Sequence, residues 1–496
     1  MCAILGCYRL SGKARPPVPV AELLARLRHR GPDDTGVHEA AGAVLAQARL
    51  SIIDVAGGHQ PMSNEDGTLW ITYNGEIYNF RELHNRLYGH QWKTQSDTEV
   101  VLHAYEEEGP ECVKRFNGMF AFALLDGDDL FLARDPLGVK PLYTADRDGW
   151  LYFASEIKAL VPLGVAIEEF PPGHWWHSDL GRQAYFDLTQ WTSDAPAPAK
   201  PVQAVRKRLQ LAVERRLVAD VPVGVFLSGG LDSSVIAALM RQHVPDLRTY
   251  SVGMADSLDL PFAQQVANHL GTRHTARVLT PDEVRGALPK VIYHLESFDF
   301  ALVRSALANW FVAETAARDL KVVLVGEGAD ELFGGYHYLK ELDDAARARE
   351  LLRITGALHN SNLQRVDRMT MAHGLEGREP FLDLDLIQTA FALSARQRTR
   401  DGVEKWILRK ACEDLLPAEV VWRVKEKFSR GVGSALLFEE VAERDISDAE
   451  FARERQLPAG RQLRCKEELL YYREFRKHYP ATVAGCLGFT AAAERR

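Results

Sequence analysis

Up to about Leu188 the chain is built from short alternating apolar runs separated by Gly, Asn and Asp turns. Segments 44–53, 69–73, 120–125, 130–133 and 151–155 read as strands, and 20–28 and 98–108 as helices, which predicts an α+β unit of two packed layers. Between Thr192 and Pro201 the run T-S-D-A-P-A-P-A-K-P can continue neither a helix nor a central strand, so it reads as a linker. Beyond it Val202, Val205, Leu209, Val213 and Leu217 recur at helical spacing. Strand and helix then alternate over 221–227, 235–240, 248–253, 260–270 and 275–279, with another strand at 321–325. That is the rhythm of a parallel doubly wound sheet, which binds ligands beyond the carboxyl ends of its strands. From Glu341 the pattern is mostly helical. The boundaries expected are a first domain at 2–190, a linker at 191–201, a second domain at 202–480 and a tail at 481–496.

Composition narrows the class without naming it. A chain of 496 residues is too long for one core, and 46% hydrophobic with 26% charged residues describes an ordinary globular protein. A net charge of −8 argues against nucleic acid as the main partner. No apolar run approaches the length of a membrane span, and the N-terminus lacks a signal-peptide core. The six cysteines are scattered with no C-x-x-C pair, which points to reduced thiols in a cytoplasm.

Chemistry concentrates first at Ser228-Gly229-Gly230-Leu231-Asp232-Ser233-Ser234, between an apolar strand and a helix. A strand that breaks into Ser-Gly-Gly and enters a helix makes an anion site from backbone N–H groups, with the serine hydroxyls as further donors. Asp232 fits such a site only beside a cation, which points to a nucleotide polyphosphate with Mg²⁺. No G-x-x-x-x-G-K-[ST] loop occurs in the chain.

The second concentration is at the start. Removal of the initiator Met would give Cys2 both a thiol and a free α-amine, a nucleophile with its own general base. Asn74-Gly75 is the usual signal for a hairpin turn, yet an amide side chain beside a glycine N–H also makes a two-donor oxyanion hole. Arg49 is suited to a carboxylate, and Asp97 and Glu76 to an ammonium. Binding a free α-amino acid needs those groups.

Together these segments resemble known families. Met1-Cys2-Ala3-Ile4-Leu5-Gly6, Arg28 to Asp33, Arg49 to Asp54, Asn74 to Tyr78, Ser96-Asp97 and Arg134 to Tyr143 resemble a class II glutamine amidotransferase domain. The resemblance implies an N-terminal nucleophile hydrolase fold, an αββα sandwich, in which Cys2 releases ammonia from glutamine through a thioester. It also implies an oxyanion held by Asn74 and Gly75, a glutamine carboxylate on Arg49, its amine on Asp97 and Glu76, and a pocket lined by Leu50, Ser51, Ile52 and Ile53.

With the Ser228 loop behind it, the whole chain from Cys2 to about Pro480 resembles the glutamine-hydrolysing asparagine synthetases, whose second domain is an α/β unit of ATP-pyrophosphatase type. Val325 to Tyr336, Gly374 to Asp383 and Trp422 to Gly431 carry the rest of the likeness. The resemblance implies that Asp330 joins Asp232 on Mg²⁺, that Glu327 serves acyl-adenylate formation, and that Lys425 balances charge on the phosphate. It places Leu227 and Val252 on the adenine, Val325 and Gly326 against the nucleotide, and Arg378 on phosphate or substrate. It further implies an ammonia channel and a homodimer.

The acceptor is aspartate by this resemblance, but Arg304 to Asn309 lacks the proline that many members carry after the segment matching Glu296 to Asp299. Amidation of another carboxylate therefore stays open as the alternative. A β-lactam synthetase lacks the working cysteine, and a phosphoribosyl amidotransferase lacks the Ser228 loop. A non-enzymatic module would have damaged site residues, whereas Cys2, Arg49, Asn74, Asp97, Asp232, Glu327 and Lys425 are all in place.

Overall fold

The computed structural model describes residues 2–11, 15–191, 197–424, 432 and 437–490. Lys425, positions 192–196 of the expected linker and positions 491–496 of the expected tail lie outside the described residues. The chain forms two compact units. The first takes the chain to Leu188 with Val218–Val221 and Met371–Glu376, and the second takes the remainder.

The first unit is a pair of six-stranded antiparallel sheets. One holds β1 (Cys2–Arg9), β2 (Asp34–Ala40), β3 (Ala43–Arg49), β8 (Tyr143–Arg147), β9 (Trp150–Ala154) and β10 (Glu168–Glu169) in the order β10-β8-β9-β1-β3-β2. The other holds β4 (Met62–Ser63), β5 (Leu69–Ile77), β6 (Gly118–Asp126), β7 (Asp129–Arg134), β11 (His174–His177) and β12 (Gly181–Ala184) in the order β12-β11-β7-β6-β5-β4. The period of two along β6 builds the layers. Ala121, Ala123 and Leu125 pack with Ile4, Leu45 and Phe153 of the facing sheet. Phe120, Phe122 and Leu124 pack on the other side, in one core with Val100, Val101 and Ala104. Those last three belong to helix Asp97–Glu108, while the short helix Val20–Leu24 contacts β1 and β3. This is the αββα sandwich.

Of the two readings of Asn74-Gly75, the hairpin turn does not form: the pair lies inside β5, where Asn74 pairs with Ala121 and Gly75 with Phe120. Glycine is required by close approach, since a Cβ at position 75 would lie 2.3 Å from the Met119 carbonyl oxygen. The strand expected over 44–53 ends at Arg49, because the Arg49 guanidinium donates hydrogen bonds to the carbonyls of Ile53, Asp54 and Val55 and turns the chain there.

The second unit is organised on a five-stranded sheet of β13 (Val223–Phe226), β14 (Arg248–Met254), β15 (Arg273–Leu279), β16 (Val322–Leu324) and β17 (Glu376–Arg378), in the order β15-β14-β13-β16-β17. The pairs β13–β14, β13–β16 and β14–β15 are parallel. The chain leaves β13 for β14 on one side and reaches β16 on the other, so β13 and β16 flank a topological switch point. Val225 is level with both Thr249 and Leu324, which brings the carboxyl ends of three strands to one edge. No helix among the described residues is long and apolar enough to cross a membrane.

Candidate active sites

In the first unit a small cavity is lined by Cys2, Arg49, Leu50, Ile52, Ile53, Gly75, Glu76 and Asp97, with Gly58, Gln60, Tyr73, Ser96 and Thr98. Cys2 is buried at the start of β1, opposite Arg49 in β3. The Cys2 backbone N–H donates to Asn74 Oδ1 at 3.0 Å, which fixes the amide so that its Nδ2 is buried with no hydrogen-bond partner among the described residues. A buried donor left unsatisfied is unfavourable in the resting protein and available to a developing oxyanion. Burial pushes the Cys2 thiol up, and the Leu50 backbone N–H and the Arg49 guanidinium draw it back down.

Asp97 is the first residue of its helix, behind the Ser96 cap whose Oγ accepts from Thr98 N. Its Oδ2 accepts from Tyr73 Oη and from Ile77 N, both at 2.9 Å, yet burial still raises its pKa. A carboxylate held in that state gains from an incoming ammonium. Two of the residues expected at the pocket are not among the lining residues: Ser51, whose N–H donates to Asp33 Oδ2, and Asn74, which lies buried behind the wall with its Oδ1 on the Cys2 N–H.

In the second unit a cavity of about 330 Å³ opens at the carboxyl ends of β13, β14 and β16. Leu227, Ser228, Gly230, Asp232, Ser233, Val252, Val325, Gly326, Glu327 and Asp330 all line it. Ser228 N–H and Oγ are 3.1 and 3.0 Å from Ser233 Oγ, and Gly230 N donates to Ser228 Oγ, so the loop closes on itself around the helix start. That helix, Leu231–Arg241, has no side-chain cap, which leaves its first N–H groups for an anion. Gly326 lets the second loop come close, since a Cβ there would lie 3.1 Å from Asp232 Cβ and Ser233 N.

Three expected nucleotide residues do not line this cavity. Gly229 shapes the loop from behind: its φ is +72°, and a Cβ would fall 2.4 Å from Ala263 N. Ser234 is buried one turn into the helix, its N–H bonded to Gly230 O. Arg378 is corrected outright as a phosphate contact, because its side chain is fully buried and its Nη1 donates to the Arg216 carbonyl at 2.8 Å. Its backbone is what nears the site, accepting from Val325 N at 2.9 Å.

The cavity also holds residues that sequence reasoning missed. Lys405 is 3% exposed, and its Nζ lies 2.5 Å from both Asp232 Oδ2 and Asp330 Oδ1. Despite burial, the two carboxylates hold its pKa above the ordinary lysine value. Gly335 makes room for the group, since a Cβ there would be 1.9 Å from Asp330 Oδ1 and 2.2 Å from Lys405 Cε. Arg365 Nη2 donates to Glu327 Oε1 at 2.5 Å. Arg423 and Val424, just before Lys425, line the same cavity. In the first unit, fully buried Arg30 donates to the Cys2 carbonyl and to Glu156, and fully buried Glu376 adds negative charge felt by Cys2, Tyr73 and Asp97.

A buried strand-start cysteine in an αββα sandwich, with a Ser-Gly-Gly phosphate-type loop on a parallel sheet in the same chain, defines a glutamine amidotransferase of N-terminal nucleophile type joined to a synthetase of ATP-pyrophosphatase type. Residues 1–177 match the glutamine amidotransferase domain family, and residues 204–357 and 341–484 match the asparagine synthase family. The chain belongs to the asparagine synthase family, among the glutamine-hydrolysing asparagine synthetases. Asparagine synthetase [glutamine-hydrolyzing] 1 of Arabidopsis thaliana is 38% identical, over 97% of this chain and 87% of that protein. Asparagine synthetase B [glutamine-hydrolyzing] of Escherichia coli K12 is 39% identical, over 97% and 92%. A probable asparagine synthetase [glutamine-hydrolyzing] of Schizosaccharomyces pombe is 37% identical, over 96% and 92%.

Proposed function

We propose that this chain makes asparagine from aspartate, ATP and glutamine, with glutamate, AMP and pyrophosphate as the other products. The observation that carries the amidotransferase half is the orientation of Asn74, which holds Cys2 N with its oxygen and keeps Nδ2 buried without a partner. On this reading residues 2–190 are the glutaminase, 191–201 the linker and 202–480 the synthetase. With Met1 removed, the Cys2 α-amine takes the thiol proton and the thiolate attacks the carboxamide carbon of glutamine. Asn74 Nδ2 and Gly75 N–H receive the oxyanion, and the α-ammonium returns its proton as ammonia leaves. Water then cleaves the thioester to glutamate. Arg49 takes the glutamine carboxylate, and Asp97 and Glu76 its amine.

In the second half-reaction a carboxylate, a poor electrophile, attacks the α-phosphorus of ATP and expels pyrophosphate. Ammonia then adds to the acyl carbon of the acyl-AMP and AMP departs. Ser228, Gly230 and the start of helix Leu231–Arg241 hold the phosphates, Leu227 and Val252 border the base, and Arg365 orients Glu327. Asp232 and Asp330 suit Mg²⁺, being hard oxygen donors that already share a single cation, Lys405. Bound there, Mg²⁺ supplies positive charge to the departing pyrophosphate. All six cysteines are free thiols, which fits a cytoplasmic enzyme, and a homodimer is the assembly the family implies.

The acceptor is tested by glutamine-dependent AMP and pyrophosphate release over a panel of carboxylates. Aspartate is expected to lead; aspartate no better than buffer, with another acid active, would overturn it. The glutamine pocket has a test of its own. Asp97→Asn should raise the KM for glutamine by about 10²-fold, through loss of a charge-assisted bond of roughly 3 kcal/mol. The same variant should melt higher at neutral pH. The pKa of Asp97 is raised in the fold, so its stabilising contribution is complete below the unfolded pKa and is lost as pH rises through the folded value. Asn removes that penalty while its oxygen still accepts from Tyr73 and Ile77. A lower melting temperature, or an unchanged KM, would refute the assignment.

A further inference from the structure

Away from the glutamine cavity, the first unit brings together Glu65, between β4 and β5, His90, between the helix Phe80–His84 and the helix Asp97–Glu108, and His103 and Glu106, one turn apart on that second helix. One ligand atom from each lies within 4.8 Å of the other three. His90 Nδ1 is 3.4 Å from Glu65 Oε1 and 3.6 Å from Glu106 Oε2, and His103 Nδ1 is 3.5 Å from Glu65 Oε2. A tetrahedral zinc ion with bonds of about 2.0–2.2 Å keeps its ligand atoms about 3.3–3.6 Å apart. His90 Nδ1 already stands at that distance from one Glu65 oxygen and from Glu106 Oε2, and His103 Nδ1 from the other Glu65 oxygen. His103 Nδ1 and Glu106 Oε2 share a hydrogen bond of 2.6 Å, which has to open by roughly 1 Å when a metal takes the place of the proton.

The surroundings are those of ligands held for a metal. The other nitrogen of each imidazole faces a further carboxylate without bonding it, His103 Nε2 at 3.7 Å from Glu99 Oε1 and His90 Nε2 at 3.4 Å from Glu107 Oε1. A carboxylate so placed fixes the tautomer and ring orientation of a ligating histidine once the two close to a hydrogen bond. Glu99 is itself pinned by the backbone N–H groups of Lys93 and Thr94, and Glu106 Oε1 accepts from Asn64 Nδ2 at 2.7 Å. His103 is fully buried, stacked on His90 with ring centroids 4.1 Å apart and edged by Trp92 at 4.6 Å. Four carboxylates thus surround two imidazoles, and among the described residues none of the four pairs with a lysine or arginine. The ammonium of Lys93, the nearest such group in sequence to His90, is taken by the carbonyls of Asn64 and Glu65.

We propose that Glu65, His90, His103 and Glu106 form a structural zinc site. Two imidazoles select a borderline transition metal over Mg²⁺ or Ca²⁺, and four protein ligands close the coordination sphere as structural sites do. The ion ties the helix that begins with Asp97 to the β4–β5 turn, and so steadies one wall of the glutamine cavity. The competing arrangement is a proton, with His103 as an imidazolium between Glu99 and Glu106.

Full-length protein stripped of metal with a chelator and titrated with Co²⁺ separates the two. One equivalent should bring up the strong visible absorption of four-coordinate Co²⁺, which Zn²⁺ then displaces, and Zn²⁺ alone should raise the melting temperature. His90→Ala, and the volume-conserving Glu106→Gln, should lose both signals. Asp330→Asn, which alters the carboxylate pair of the other unit, should keep both. No absorption band in the wild-type chain, or a band of equal strength in His90→Ala, would leave the proton as the occupant and overturn the zinc site.

Discussion

Cys2→Ala should lower glutamine-dependent synthesis and glutamate release by about 10⁴-fold or more, the scale on which a covalent nucleophile is lost, while synthesis from added ammonium continues at the wild-type rate. Two features make the expected loss so large. The residues lining the cavity around Cys2 include no second thiol, and the one hydroxyl among them that bonds a carboxylate, Tyr73 Oη on Asp97 Oδ2, is a phenol whose pKa burial raises well above the ordinary value. The next cysteine on β1, Cys7, is an odd number of residues away, so it points to the opposite face of the sheet, and burial pushes its thiol up to about 12. The ammonium-dependent reaction needs only the second unit's cavity, none of whose lining residues comes from the glutaminase. Glutamate release and asparagine formation from each nitrogen source, measured on the same preparation, decide it. Persistent glutamate release would remove Cys2 as the nucleophile, and loss of both syntheses would remove the scheme of two separate half-reactions.

What could be read from the sequence was whatever the chemistry writes locally. Ser228 to Ser233, Asn74-Gly75 and Asp97 announce themselves because glycine, hydroxyl and carboxylate stand within a few residues of a strand end or helix start. The family resemblance is what pointed to Leu227, Val252 and Val325, and the parallel register of β13, β14 and β16 accounts for their meeting at one edge. The misses are of two kinds. Arg378 as a phosphate contact is a local reading overridden by tertiary pairing, since its side chain is buried and donates to a carbonyl of Arg216. Arg30, Arg365, Glu376 and Lys405 are the other kind, single charged residues whose partners are distant along the chain. Lys405 is 173 positions from Asp232. Only its left-handed backbone, φ 53° at the residue before helix Trp406–Cys412, marks it as unusual, and that is a structural signal.

Lys405→Met should abolish synthesis from glutamine and from ammonium alike, with glutamine hydrolysis by the first unit retained. The argument is electrostatic. Asp232 and Asp330 converge on one ammonium at 2.5 Å each, and the lysine is almost wholly buried. Removing one member of such a group leaves like charges facing each other, a loss of about 3 kcal/mol in stability, at the lower end of the usual range because both carboxylates retain some contact with water. Adding Asp330→Asn to Lys405→Met relieves that repulsion and should restore most of the melting temperature but none of the synthesis, which separates folding from chemistry. The same pair predicts how the metal enters. If Asp232 and Asp330 hold Mg²⁺, then Lys405 and Mg²⁺ compete for them, and removing the lysine frees the site. Mg²⁺ without nucleotide should then raise the melting temperature of Lys405→Met clearly more than that of the wild-type chain. The double variant, with one carboxylate gone, should show less of the gain. Equal Mg²⁺ responses in the wild-type chain and Lys405→Met would mean that the two aspartates belong to the lysine alone and that Mg²⁺ binds elsewhere.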